Sequence, residues 1–153
     1  MLADFQQALV DLTASPDLCI AVRDDATLLR AHYALTEREE DRLLGIARHP
    51  GMSCACTVYR MNRVAPLAMN LRETLRALGP ALRPMMLDYW RDHPRGHAHF
   101  FIESARFCTW LRQRMEAGEP IPSEVLPHLD RNSAAVQAAI EASCTEASVT
   151  VEN

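Results

Sequence analysis

The sequence predicts an all-α protein, a single-domain bundle of about six to eight helices, on three observations. Apolar residues recur at three- and four-residue spacing along most of the chain. Helix-start and helix-stop residues punctuate that pattern at Ser15-Pro16, Thr36 to Glu39, His49-Pro50-Gly51, Gly79-Pro80 and Gly118. The alternation of a strand occurs only in the last stretch, Ala147 to Val151, which reads as a frayed end or as a short C-terminal strand pairing with a partner. At 153 residues the chain is long enough to bury roughly 70% of its unfolded surface.

Leu2, Phe5, Ala8, Leu9 and Leu12 fall on one face, so residues 2–13 predict a first amphipathic helix. Ser15 as N-cap and Pro16 at the first helical position open a second, which Asp24-Asp25 ends. A short helical turn follows from Thr27 to Tyr33. Thr36-Glu37-Arg38-Glu39 has the capping-box pattern, in which hydroxyl and carboxylate satisfy free N–H groups reciprocally. The helix it starts runs to about Arg48, with Leu43, Leu44 and Ile46 inward.

From Ser53 toward Leu78, the residues Val58, Met61, Val64, Ala65, Ala68, Leu71 and Leu75 share one arc and predict the buried face. Pro66 removes a donor there, so a kink or break is expected at that point. Without one, Arg72 and Arg76 would point into the apolar arc. Leu82, Met85, Met86, Tyr89 and Trp90 give the next apolar face. A helix over 97–117 follows, with Phe100, Phe101, Ala105, Cys108 and Leu111 inward and Gly118 as its stop. Pro120 and Pro122 turn the chain into two more helices, Ser123 to Leu129 and Ser133 to Ser143. Residues 1–50 read as an N-terminal helical module, 54–143 as a helical core and 144–153 as a flexible tail, one compact domain overall.

Composition excludes several function classes. No apolar run approaches the ~18 residues of a membrane span, and no basic segment leads into an apolar one near Met1. A cytoplasmic protein is expected, with five unpatterned cysteines as reduced thiols. The net charge of -4 is unevenly spread. Residues 54–114 carry ten arginines against four acids, between a first segment with five arginines and nine acids and a last with one arginine and seven acids. Such a basic middle means internal pairing or an exposed surface for an acidic partner. The arginines do not form one groove-facing stripe, and a pI near 5.8 opposes a strong nucleic-acid footprint.

Chemistry-bearing clusters are few. Cys54 and Cys56 would diverge by about 200° on a helix and chelate a metal only from an extended loop, although a helix N-terminus would favour a thiolate. His97 and His99 face apart in the same way if helical. No serine elbow, local Cys–His pair or phosphate-cradling glycine run is present, so catalysis by this chain alone is not expected. Tyr59-Arg60-Met61-Asn62-Arg63 places a phenol, an amide and two guanidinium groups within about a turn. That run either locks helices together by hydrogen bonds or forms a polar ledge that grips carboxylates and carbonyls of another chain. Spacing alone favours the former.

Over roughly residues 58–112 the chain resembles the HvfC-like family, whose N-terminal domain once carried a DNA-binding label. The motifs that carry the resemblance are Val58-Tyr59-Arg60-Met61-Asn62, Leu75 to Leu82, Tyr89-Trp90-Arg91-Asp92-His93-Pro94-Arg95-Gly96, Ile102 to Phe107, and Trp110-Leu111. The chain departs from the family pattern at Met61, where a polar residue is usual, and at Arg95, where a second proline is usual. The first ~50 residues are similar to a small helical module of leader and adaptor sequences.

The resemblance implies a non-catalytic partner subunit, similar to the stand-alone one of 3-thiaglutamate maturation. Such a subunit forms a heterodimer with a multinuclear non-haem iron oxidative enzyme and helps capture its ribosomally made precursor peptide for cysteine modification. It implies iron in the companion enzyme and no cofactor or metal in this chain. The partner- and peptide-binding residues it implies are Tyr59, Arg60, Asn62, Arg63, His93, Arg95 and Arg106. The alternatives are a DNA-binding transcriptional regulator and a thiol- or metal-handling protein.

Overall fold

The computed structural model describes the backbone of residues 2–151 and the side chains of residues 2–143. The fold is all-α, and no strand occurs among the described residues. The helices are α1 (Leu2–Ala14), α2 (Pro16–Asp24), α3 (Thr27–His32), α4 (Glu37–Arg48), α5 (Gly51–Asn70), α6 (Arg72–Leu78), α7 (Leu82–Asp92), α8 (Phe100–Glu116) and α9 (Val125–Val151). A 3-10 turn, Gly79–Ala81, joins α6 to α7. The chain divides into two compact units, Met1–Asn62 and Arg63–Asn153.

The first unit packs α1, α2 and α4 against one another around Ala8, Leu12, Cys19, Val22, Leu29, Leu43 and Ala47, with Met52 and Cys56 from the start of α5. Its helix ends follow the capping chemistry written in the sequence. The Ser15 hydroxyl accepts from the Leu18 N–H at 3.2 Å. At α4 the Thr36 N–H donates to the Glu39 carboxylate at 2.8 Å, and the Glu39 N–H donates back to the Thr36 hydroxyl at 3.3 Å. The Tyr33 hydroxyl donates to Asp11 at 2.9 Å, which fastens the end of α3 to α1.

The second unit has its own core. Leu67, Leu71, Leu78, Met85, Met86, Tyr89, Phe107, Trp110 and Leu111 meet Val125, Leu129 and Val136 of α9, which packs against both α6 and α8. The Thr74 hydroxyl donates to Asn132 at 2.8 Å, a polar tie between α6 and α9. Gly118, at φ +80, takes the left-handed conformation that ends α8, and its N–H donates to the Met115 carbonyl.

Several sequence expectations are corrected. No break occurs at Pro66: α5 runs through it and ends at Asn70, where Leu71 leaves helical geometry. Burial of Pro66, Leu67 and Leu71 offsets the one missing hydrogen bond. The Ser104 hydroxyl accepts from the Asn70 amide at 3.0 Å and lies within hydrogen-bonding distance of the Phe100 and Pro66 carbonyls, 3.0 and 3.2 Å, which links that end of α5 to α8. Arg72 and Arg76 stay exposed because the turn comes after α5, not within it.

The inward face of α5 is also different. Met52, Cys56, Arg63, Pro66 and Leu67 are buried, whereas Val58 and Met61 are more than half exposed and Ala65 and Ala68 are exposed. Arg63 is inside because it has a buried counter-charge in Glu103. α8 starts at Phe100, so His97 and His99 precede it, and Phe100 is exposed rather than in the core. The two helices expected over 123–143 are one, α9, whose backbone also takes in residues 147–151, where a frayed end or a short strand was expected. The side chains of 144–153, the expected tail, lie outside the described residues.

Candidate functional site

The motif residues of the second unit converge on a buried ion pair. Arg63 of α5 and Glu103 of α8 are 5% and 1% exposed. The Arg63 Nε donates to Glu103 Oε1 at 2.9 Å, and Nη2 lies 2.9 Å from the same oxygen but outside hydrogen-bonding alignment. Nη1 of the same guanidinium donates to the His93 carbonyl at 2.7 Å and reaches the Pro94 carbonyl at 3.3 Å. Its plane sits over the Tyr89 ring, 5.3 Å from the centroid. One arginine therefore holds a carboxylate, two carbonyls and an aromatic face.

Glu103 completes the arrangement from the other side. Its Oε2 accepts from the His97 N–H at 2.8 Å, and its Oε1 accepts from the Tyr89 hydroxyl at 3.3 Å. Arg106, one turn on, lies 3.9 Å from Oε2 and donates to the Arg95 carbonyl at 3.1 Å. Burial, and then the neighbouring Glu103 charge, push the Tyr89 hydroxyl well above the ordinary phenol range, so it remains a donor.

The joint between α7 and α8 is thus gripped along its length. At its start Asp92 accepts from the Trp110 indole and from Arg114, each at 2.8 Å, which holds its carboxyl below the usual range. The Arg114 guanidinium also stacks on Trp110, 5.0 Å from the ring centroid. Gly96 is required sterically, since a Cβ there would come within 2.9 Å of the Arg63 side chain. The Tyr89 ring packs edge-on against Phe107 at 5.0 Å and Trp110 at 5.4 Å, and His93 covers it at 5.0 Å. His93 Nδ1 is buried with no partner among the described residues. Desolvation, with the Arg106 charge second, lowers the His93 pKa below its ordinary value.

Of the residues named from the sequence, Arg63, His93, Arg95 and Arg106 come together in this clamp. Arg63 is spent internally, so the locking role of the Tyr59–Arg63 run applies to it. Asn62 is exposed, and Tyr59 and Arg60 are half-buried. Glu103 and Tyr89 were not singled out, although a signal existed: Glu103 shares a helical face with Phe107, Trp110 and Leu111, and a carboxylate on such a face needs a buried cation.

Cys54 is exposed and Cys56 buried on α5, with the Cys56 thiol directed to the Leu12 carbonyl at 3.5 Å. Burial pushes the Cys56 thiol up, which opposes the thiolate expected of it. His97 Nδ1 accepts from the His99 N–H at 3.0 Å, a local turn contact. Among the described residues no group of three or more His, Cys, Asp or Glu side chains is placed to hold a metal ion, and no helix is long and apolar enough to cross a membrane.

The fold and the clamp define an all-α protein with a rigidly held interhelical joint. No family model, curated protein or solved structure matches the chain.

Proposed function

We propose that the chain is a non-catalytic partner subunit that docks on a multinuclear non-haem iron oxidative enzyme and helps present its ribosomally made precursor peptide. The reading rests on the resemblance of residues 58–112 to the HvfC-like family and on one structural observation. Large apolar side chains stand exposed on α5 and at the start of α8: Val58 at 52%, Met61 at 60%, Met69 at 73% and Phe100 at 49%. Side chains of that kind are the anchors a protein partner covers.

The clamp fits the same role. Its polar groups hold backbone carbonyls and N–H groups in place and leave no aligned nucleophile and base among them. In this reading the iron belongs to the companion enzyme and the complex works in the cytoplasm. The DNA-binding alternative gains no support from the middle-segment cations. Five of the ten, Arg63, Arg91, Arg106, Arg112 and Arg114, are committed to carboxylates.

Gel filtration after co-expression with the companion iron enzyme tests the proposal. The expected result is a stable one-to-one complex, weakened at least about tenfold by Met61→Glu while the variant melts like the parent. An equally tight complex with Met61→Glu would assign the contact to another surface. Separate elution of the two wild-type proteins would remove the proposal.

A further inference from the structure

A second surface, wholly within the first unit, has the features of a ligand groove. It is an open, predominantly apolar depression of about 570 Å³, walled by Phe5 of α1, Ile46 of α4, and Met52 and Ala55 of α5. The volume lies within the range of small-molecule and side-chain pockets, ~300–1,000 Å³.

Its floor is made by the absence of a side chain. Gly45 sits in the interior of α4, where glycine costs roughly 1 kcal/mol relative to alanine. A Cβ built there meets nothing within 4 Å, and its φ is not positive. Neither packing nor backbone conformation therefore requires this glycine. What it leaves is space.

Two polar groups mark the ends of the floor. Arg42 lines the groove and forms no ion pair among the described residues, whereas Arg30 and Glu40 on neighbouring positions pair with each other. His49 lines the other end. Its Nδ1 accepts from the Gly51 N–H at 3.0 Å, so the ring's Nε2 is the remaining polar atom and carries the donor proton. Arg42, Gly45, Ile46 and His49 are spaced three, four and seven residues apart. They form one face about 10 Å long at 1.5 Å rise per residue. The positive end of α5 opens at the same rim, beside His49.

We infer that this groove binds a short peptide segment that pairs an acidic side chain with Arg42, lays apolar side chains over Gly45, and gives a backbone carbonyl to His49. A cation and a neutral-type donor whose backbone positions lie about 10 Å apart along the helix suit a segment of a few extended residues. An acyl chain has a single polar head and wants an enclosed tunnel, not an open floor with a donor at each end. The choice of a peptide as occupant rests on the precursor-handling reading above; the groove itself does not.

The test uses the full chain and a labelled, end-capped six-residue peptide with one glutamate followed by leucine and isoleucine between alanines. Fluorescence anisotropy should detect its binding, with about tenfold weaker binding when the glutamate is replaced by glutamine. Arg42→Gln should erase that difference. Gly45→Leu should weaken both peptides at least about tenfold without lowering the melting temperature, since it improves helix propensity and its Cβ meets no atom within 4 Å. Equal binding to the parent and Gly45→Leu, or equal affinity for the two peptides, overturns the inference. So does binding of dodecanoate in place of the peptides, or a self-association that Gly45→Leu abolishes. An iron-enzyme complex that fails to form while peptide binding behaves as described removes the partner role and spares the groove; an intact complex with peptide binding indifferent to Gly45→Leu does the reverse.

Discussion

Replacing Arg63 by methionine keeps much of the side-chain length and removes the charge from the clamp. Glu103, 1% exposed, would retain the Tyr89 hydroxyl at 3.3 Å and the His97 N–H at 2.8 Å. Among the described residues its remaining ion-pair partner would be Arg106 at 3.9 Å. The His93 and Pro94 carbonyls would lose the guanidinium, and the Tyr89 face its cation. Breaking one side of a buried pair costs about 3–5 kcal/mol, because the surviving charge stays desolvated. For a chain of this length each kcal/mol moves the midpoint by about 2–4 °C, so melting should fall by roughly 10 °C. Both tryptophans, Trp90 and Trp110, belong to the Arg63–Asn153 unit, so intrinsic fluorescence reads the loss where it occurs. The double variant Arg63→Met with Glu103→Met removes both charges and should recover a large part of the loss. A single Arg63→Met variant that melts within about 2 °C of the parent would refute the clamp as a source of stability.

Three other substitutions or conditions read different parts of the fold. Gly96→Ala sets a methyl group against the pinned Arg63 side chain and should cost about 1–3 kcal/mol in urea titration; an unchanged midpoint would mean that the joint relaxes freely. Thr36→Ala removes the hydroxyl half of the capping box and should cost about 0.5–2 kcal/mol, measured by circular dichroism, with no loss expected only if the cap contributes nothing. His93 has a folded pKa depressed below its ordinary 6.5, so the unfolded chain takes up its proton first as the solution is acidified. Its contribution is present above that ordinary value and is lost as pH falls through the folded one. Urea midpoints should decline from about pH 8 to about pH 5, with a shallower decline in His93→Gln; identical slopes would exclude His93 as the titrating group.

The helix boundaries in the first half were readable because capping is local. Ser15, Thr36 and Glu39 satisfy N–H groups within four residues of themselves, and no distant contact overrides them. The face of α5 was not readable in that way. Its orientation depends on Glu103, forty residues further along, and hydropathy alone assigns an arginine to solvent. Pro66 does not break the helix, for a related reason: burial of Pro66, and of Leu67 in the core, offsets its missing donor. The motif around His93 was visible as a joint, but its partners Tyr89, Glu103 and Trp110 could be assigned only once α7 and α8 were brought together. The Gly45 groove left a single local sign, a glycine inside a well-capped helix. Its function as open space emerges only when Phe5 and Met52 stand on either side.

The proposal that this chain serves a companion enzyme is tested most directly by reconstituting the reaction. Purified iron enzyme and precursor peptide should give no modified peptide by mass spectrometry until the chain is added, and the yield should saturate at one chain per enzyme. Full turnover by the iron enzyme in its absence, or modification of the peptide by the chain with the enzyme left out, would contradict the account.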